Sequence, residues 1–108
     1  MSGLNIGCVS TGNKTGDANA AFAGPALLHG AKLLGGTADS RLKIYNAATV
    51  ALGAVETLVW ELSTNAGTNV GDVTDQVVFE TPISCPNGIS FDVSGTAAEY
   101  YGIAEELA

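Results

Sequence analysis

Short alternations of apolar and polar residues, separated by glycine-rich breaks, recur through the chain from residue 26 onward. "ALLHGAKLL" (26–34) is followed by the turn-forming run "GGTADS". "RLKIYN" (41–46) sets Leu42 and Ile44 on one face against Arg41, Lys43 and Tyr45 on the other. "TLVWEL" (57–62) sets Leu58, Trp60 and Leu62 against Thr57, Val59 and Glu61. "DQVVFET" (75–81) is β-branched and aromatic and is followed by Pro82. "GISFDV" (88–93) alternates Ile89, Phe91 and Val93 with Ser90 and Asp92. A period of two over runs this short predicts half-buried antiparallel strands, with Leu58, Trp60 and Leu62 turned to a core.

The tail carries two signals. Thr96 to Glu99 fits a helix capping box, and the residues after it include good helix formers. Tyr100, Tyr101 and Ile103 favour a strand, and Gly102 weakens a helix. A strand over 98–104 would also cover an open sheet edge, and this decides for the strand. Upstream, residues 1–24 are rich in Gly, Ala, Ser, Thr and Asn and predict an extended arm, with one short strand at 4–9. "GP" at 24 and 25 punctuates the start of the domain at residue 25. Six or seven short strands, each with one apolar face, must pack face to face or close into a barrel. The expected fold is all-β: a single antiparallel β-sandwich, jelly-roll-like, over 25–108, with an N-terminal arm over 1–24. The loop 63–74 is the longest break and is expected to be a mobile surface connection.

Composition narrows the possible partners. The 108 residues carry a net charge of −7, and Lys14, Lys32, Arg41 and Lys43 are the only basic side chains. All four precede residue 45, whereas 45–108 hold nine acids and no Lys or Arg. Phosphate backbones and acidic membrane surfaces are held by clustered positive charge, so neither nucleic acid nor membrane is an expected partner. No apolar run reaches the length of a membrane span, and the N-terminus lacks the pattern of a secretory signal.

Candidate chemistry is sparse. Ser90 and Asp92 share the predicted solvent face of one strand, and a serine nucleophile would need a base beside it. The single histidine, His29, is placed by a regular strand beside Leu27, Ala31 and Leu33, as a packed or edge residue. Asp72 and Asp75 with Asn65 and Asn69 offer oxygen ligands without the spacing of a calcium loop. Of Tyr100 and Tyr101, one is expected in the core and one outside. Cys8 and Cys85 read as two buried free thiols, with a bridge as the alternative if the N-terminal segment packs beside the 85–88 turn. No catalytic residue, metal site or cofactor is expected, and the chain does not read as an enzyme.

Three stretches in order, "GPALLHGAKLLGGTADSRLKIYNA", "TLVWEL" and "FETPISCPNGISFDVSGTAAEYYGI", cover about residues 24–103. This ordered set resembles the small β-sandwich structural proteins of tailed bacteriophage virions, the capsid decoration (cement) proteins and related head-fibre components. The resemblance implies a non-catalytic protein, made in the host cytoplasm, that sits on the capsid exterior. It would bind the major capsid protein and itself, as a homotrimer, and bridge shell subunits. The long Gly/Ala/Thr arm and the extended 63–74 loop depart from the pattern. Leu4, Ile6 and Val9 are the candidate partner-binding residues of the arm, where strand addition would supply main-chain bonds. The alternative is a glycan- or receptor-binding module of a tail fibre or spike.

Overall fold

A computed structural model describes residues 8–15, 18–49 and 57–107. Among these, eight strands are β1 (Cys8–Ser10), β2 (Ala18–Phe22), β3 (Ala26–Leu34), β4 (Ser40–Tyr45), β5 (Leu58–Thr64), β6 (Thr74–Cys85), β7 (Ile89–Ser94) and β8 (Glu99–Glu106). They form two antiparallel four-stranded sheets, ordered β1-β8-β3-β6 and β2-β7-β4-β5. Every strand of the first half has its mirror-image partner in the second: β1 with β8, β2 with β7, β3 with β6, β4 with β5. This nested pairing is the eight-stranded jelly roll, a long antiparallel ribbon folded over into two sheets. The fold is the all-β sandwich that the alternating pattern predicts.

The core lies between the sheets. Leu28, Leu33, Tyr100 and Cys85 from the first sheet meet Leu42, Ile44, Leu62, Ile89 and Phe91 from the second, all essentially inaccessible to solvent. The Phe91 and Tyr100 rings lie 5.2 Å apart at 32°. Gly102 leaves the room that Phe91 fills, since a Cβ on Gly102 would lie 2.4 Å from Cζ of that ring. Such a large-into-small fit fixes how the sheets stack at native packing density.

The tail is a strand. Gly95, at φ 119°, and Ala97, at φ 62°, turn the chain between β7 and β8, and Ala98 N donates to Gly95 O at 3.2 Å. The inner face of β8 carries Tyr100, Gly102 and Ala104, each buried, while Tyr101 is only half-buried on the outside. Cross-strand pairing satisfies the whole segment, so the local capping signal at Thr96–Glu99 is overridden.

The described part of the segment 1–24 is hydrogen-bonded into both sheets rather than extended away from them. β1 pairs with β8, and the chain keeps following β8 beyond it. Thr11 N donates to Gly102 O at 2.9 Å, and Lys14 and Tyr100 exchange backbone bonds of 2.8 and 3.0 Å. β2 pairs with β7 and forms the edge of the other sheet. Each stretch covers an edge that β8 or β7 would otherwise leave open.

Several expected placements change. The strand 26–34 is interrupted by a β-bulge between Leu28 and Gly30, seen in its pairing with both neighbours. The extra residue shifts the alternation by one. Ala26 and Leu28 face the core before it and Ala31 and Leu33 after it, so His29 shares the outer face with Leu27, as expected, but not with Ala31 and Leu33. Ser90, expected on a solvent face, is fully buried on a central strand opposite Tyr45. Trp60 pairs with Ile44 on the inner side of β5, but β5 is the sheet's edge and the indole stays 42% exposed. The strand 75–81 runs on through Pro82 to Cys85, which an edge strand tolerates because the missing N–H can face outward.

The loop 65–73 is tethered, not free. Gly67 N and Gly71 N donate to Gly36 O and Gly35 O at 3.1 and 2.8 Å, and Ala66 N donates to Asp39 Oδ1 at 2.9 Å. Both candidate calcium carboxylates accept backbone N–H groups, Asp72 from Asn69 and Asp75 from Ser63.

Candidate functional site

Leu4 and Ile6 lie outside the described residues. Val9 is in β1, its backbone opposite Ala104 of β8 and its side chain 42% exposed at the sandwich rim. Its main chain is already paired within the protein on the β8 side, leaving only the outer edge of β1 to add a further strand.

The outer face of the β1-β8-β3-β6 sheet carries two features. The first is apolar. Gly30, at the bulge, leaves a dent of about 140 Å³ walled by Val78, Ile103 and Tyr101. Val78 is 79% exposed on β6, the edge strand of the sheet among the described residues. A Cβ on Gly30 would come within 2.7 Å of Val77 O, so the close approach of β3 to β6 requires glycine here.

The second is a side-chain cluster. The register sets Cys8 directly opposite Glu105, and Glu105 opposite Leu27, so all three lie in one row across β1, β8 and β3. His29, two residues after Leu27, follows on that outer face. His29 Nε2 lies 3.4 Å from Glu105 Oε1, and Cys8 Sγ, one His29 ring nitrogen and a Glu105 carboxylate oxygen all lie within 4.8 Å of one another. Cys8 is exposed, and the His29 and Glu105 side chains keep 27% and 37% of their surface open. Positions 8, 29 and 105 have no motif spacing. Only strand order and register bring them together.

The two cysteines do not meet. Cys8 is at the outer edge of its sheet, whereas Cys85 is buried on β6 at the opposite edge. Three strand spacings separate them, roughly 14 Å, which is beyond disulfide reach. Both thiols are free, and the exposed one departs from the expectation that both are buried.

The second sheet presents polar surface. Arg41 NH1 lies 3.5 Å from Glu61 Oε2, and Lys43 stands between Asp92 and Glu61 in the register. At one end, Asp39, Arg41, Ser63, Thr64 and Asn65 line a polar cleft of about 390 Å³. The hydroxyls of Thr64 and Ser90 are buried without a hydrogen-bond partner among the described residues.

The nested strand order and the packed faces define a jelly-roll β-sandwich. Set against known proteins, this chain matches no family model, no curated protein and no solved structure.

Proposed function

We propose that the protein is a virion structural subunit, a capsid decoration (cement) protein that binds the outer face of a phage head and bridges neighbouring shell subunits. Its chemistry is adhesion rather than catalysis. The observation that carries this reading is the apolar dent at Gly30 on the outer face of the sheet, beside which Val78 of the edge strand β6 stands exposed. An unpaired edge with a large apolar side chain is a ready docking surface. Two supports are weaker: the ordered sequence resemblance, and the recurrence of jelly rolls in viral capsid proteins, which is an argument from fold alone.

Many copies on a lattice need only modest affinity each, because a trimer presents its contacts at high effective concentration. The acidic balance of the chain, −7 overall, would keep decorated particles from adhering to one another. The partners on this reading are the major capsid protein and further copies of the chain.

A glycan-binding module of a tail fibre or spike is the second reading, and the polar cleft at Asp39, Arg41 and Asn65 favours it. Sugar rings are usually held by an aromatic face next to such groups, and none of the described lining residues is aromatic. Trp60, three residues along β5 from Ser63, is not part of the lining and packs against Phe79, with ring centroids 5.2 Å apart. The decoration reading therefore stands first.

Quantitative mass spectrometry of purified particles of the encoding virus tests it. A copy number in a simple lattice ratio to the major shell protein is the expected result. A handful of copies per particle, or none, would overturn the decoration reading and move the question to glycan arrays.

A further inference from the structure

We propose that Cys8, His29 and Glu105 form a Zn²⁺ site on the outer face of the β1-β8-β3-β6 sheet, with solvent water as the fourth ligand. The proposal is independent of the role in a virion.

Three observations carry it. The donors are a thiol, an imidazole and a carboxylate, each a type that zinc takes, and three protein ligands leave the fourth tetrahedral position open. Their donor atoms converge within 4.8 Å. Zinc bond lengths place tetrahedral ligand atoms roughly 3.4–3.7 Å apart, and His29 Nε2 and Glu105 Oε1 are already at 3.4 Å. Cys8 is exposed on an edge strand, so a turn about its side-chain bond closes what remains without moving the sheet.

The same geometry disfavours a catalytic relay. In a thiol–imidazole–carboxylate triad the two partners occupy opposite ring nitrogens, so that the imidazole passes a proton between them. Here one ring nitrogen lies within 4.8 Å of both the thiol sulfur and a carboxylate oxygen. The convergence is that of ligands around a common centre.

The bound ion would tie three strands together. β1 is three residues long and is held in its sheet by β8 alone. A metal spanning β1, β8 and β3 would pin the start of the sandwich to two longer strands. Metal binding of this kind contributes directly to the stability of the folded state.

The test uses the full chain, reduced and stripped with a chelator, then titrated with Zn²⁺ in a calorimeter. One saturable site per chain is expected, with a rise in Tm. Co²⁺ in place of zinc should give a thiolate-to-cobalt charge-transfer band in the near ultraviolet, and Zn²⁺ should shield Cys8 from alkylation. Cys8→Ser, His29→Gln and Glu105→Gln should each weaken binding by at least about tenfold, with the strand signal in circular dichroism retained. Cys8→Ser should also abolish the cobalt band. Glu61→Gln, on the other sheet, should bind as the parent does. No saturable binding in the parent would overturn the proposal. So would undiminished binding by both Cys8→Ser and His29→Gln, or a cobalt spectrum without the thiolate band.

Discussion

Cys85 ends β6 with its side chain between the sheets, and burial there pushes its thiol above the ordinary value of 9.0. The folded state holds this proton more tightly than the unfolded chain does, so the group favours folding wherever both states are protonated. The contribution is complete below pH 9.0 and is lost as pH rises from there through the folded-state value. Urea unfolding at several pH values from about 7 to about 10.5 should show stability falling on the alkaline side. In Cys85→Ala that fall should be shallower, from a lower starting stability because the side chain leaves a small cavity. An equally steep alkaline fall in the variant would show that Cys85 is not the titrating group. Burial of this thiol agrees with the ordinary preference of free cysteines for the interior, although the sequence places Cys85 at a turn and not at the end of a strand. Exposure of Cys8 was not legible, because it depends on β1 being the edge of a sheet whose order no local pattern specifies.

At the scale of the element, edges and bulges decide what alternation alone cannot. Trp60 shares the inner side of β5 with Leu62, as the period of two suggests. A second bulge, between Ile44 and Tyr45 in the β4–β5 pairing, separates Leu58 from that series. The position of β5 at the rim leaves the indole packed on Phe79 at 87° rather than enclosed. Trp60→Ala should therefore cost about 1–2 kcal/mol, the aromatic pair plus part of the buried area, rather than the 3–5 kcal/mol typical of a core tryptophan. Chemical denaturation measures this directly, and a loss above about 3 kcal/mol would mean that the ring is more enclosed than its exposure indicates.

The strands at 41–46 and 88–93 were legible because Leu42 and Ile44, and Ile89, Phe91 and Val93, mark every second position. β2, "ANAAF", was not. Alanine and asparagine have poor strand propensity, and this segment is a strand because β7 offers it an edge. The Cys8–His29–Glu105 cluster was hidden because its members meet only through the pairing of β1 and β3 with β8, which no local pattern specifies. The bulge was hidden too: one inserted residue reverses the face of everything after it, and a regular period cannot reveal where the insertion lies.

For the whole molecule, the nested pairing sets a gradient of stability. β3 and β4 are central strands flanked on both sides, while β1 is short and hydrogen-bonded within its sheet only to β8. Native-state hydrogen exchange should find the slowest amides in β3 and β4 and the fastest strand amides in β1. Uniform protection across all eight strands would contradict this gradient. The charge totals and the all-β class were readable from composition and alternation. The order of the strands was not, because partners such as Cys8 and Glu105 lie at opposite ends of the chain and no local interaction joins them.

That order bears on how the chain is made. On a ribosome β1 to β4 emerge first. Each later strand then finds its mirror-image partner already waiting, in reverse order of synthesis: β5 joins β4, β6 joins β3, β7 joins β2 and β8 joins β1. Leu34 and Thr74 lie about forty residues apart, yet once β4 and β5 are paired the open path between them is only roughly sixteen residues. That shortening lowers the closure cost by about 0.8 kcal/mol. Every pair that forms shortens the path to the next, so the sandwich can close like a stack emptied from the top. The earliest strand waits longest, its edge covered only when β8 has left the exit tunnel.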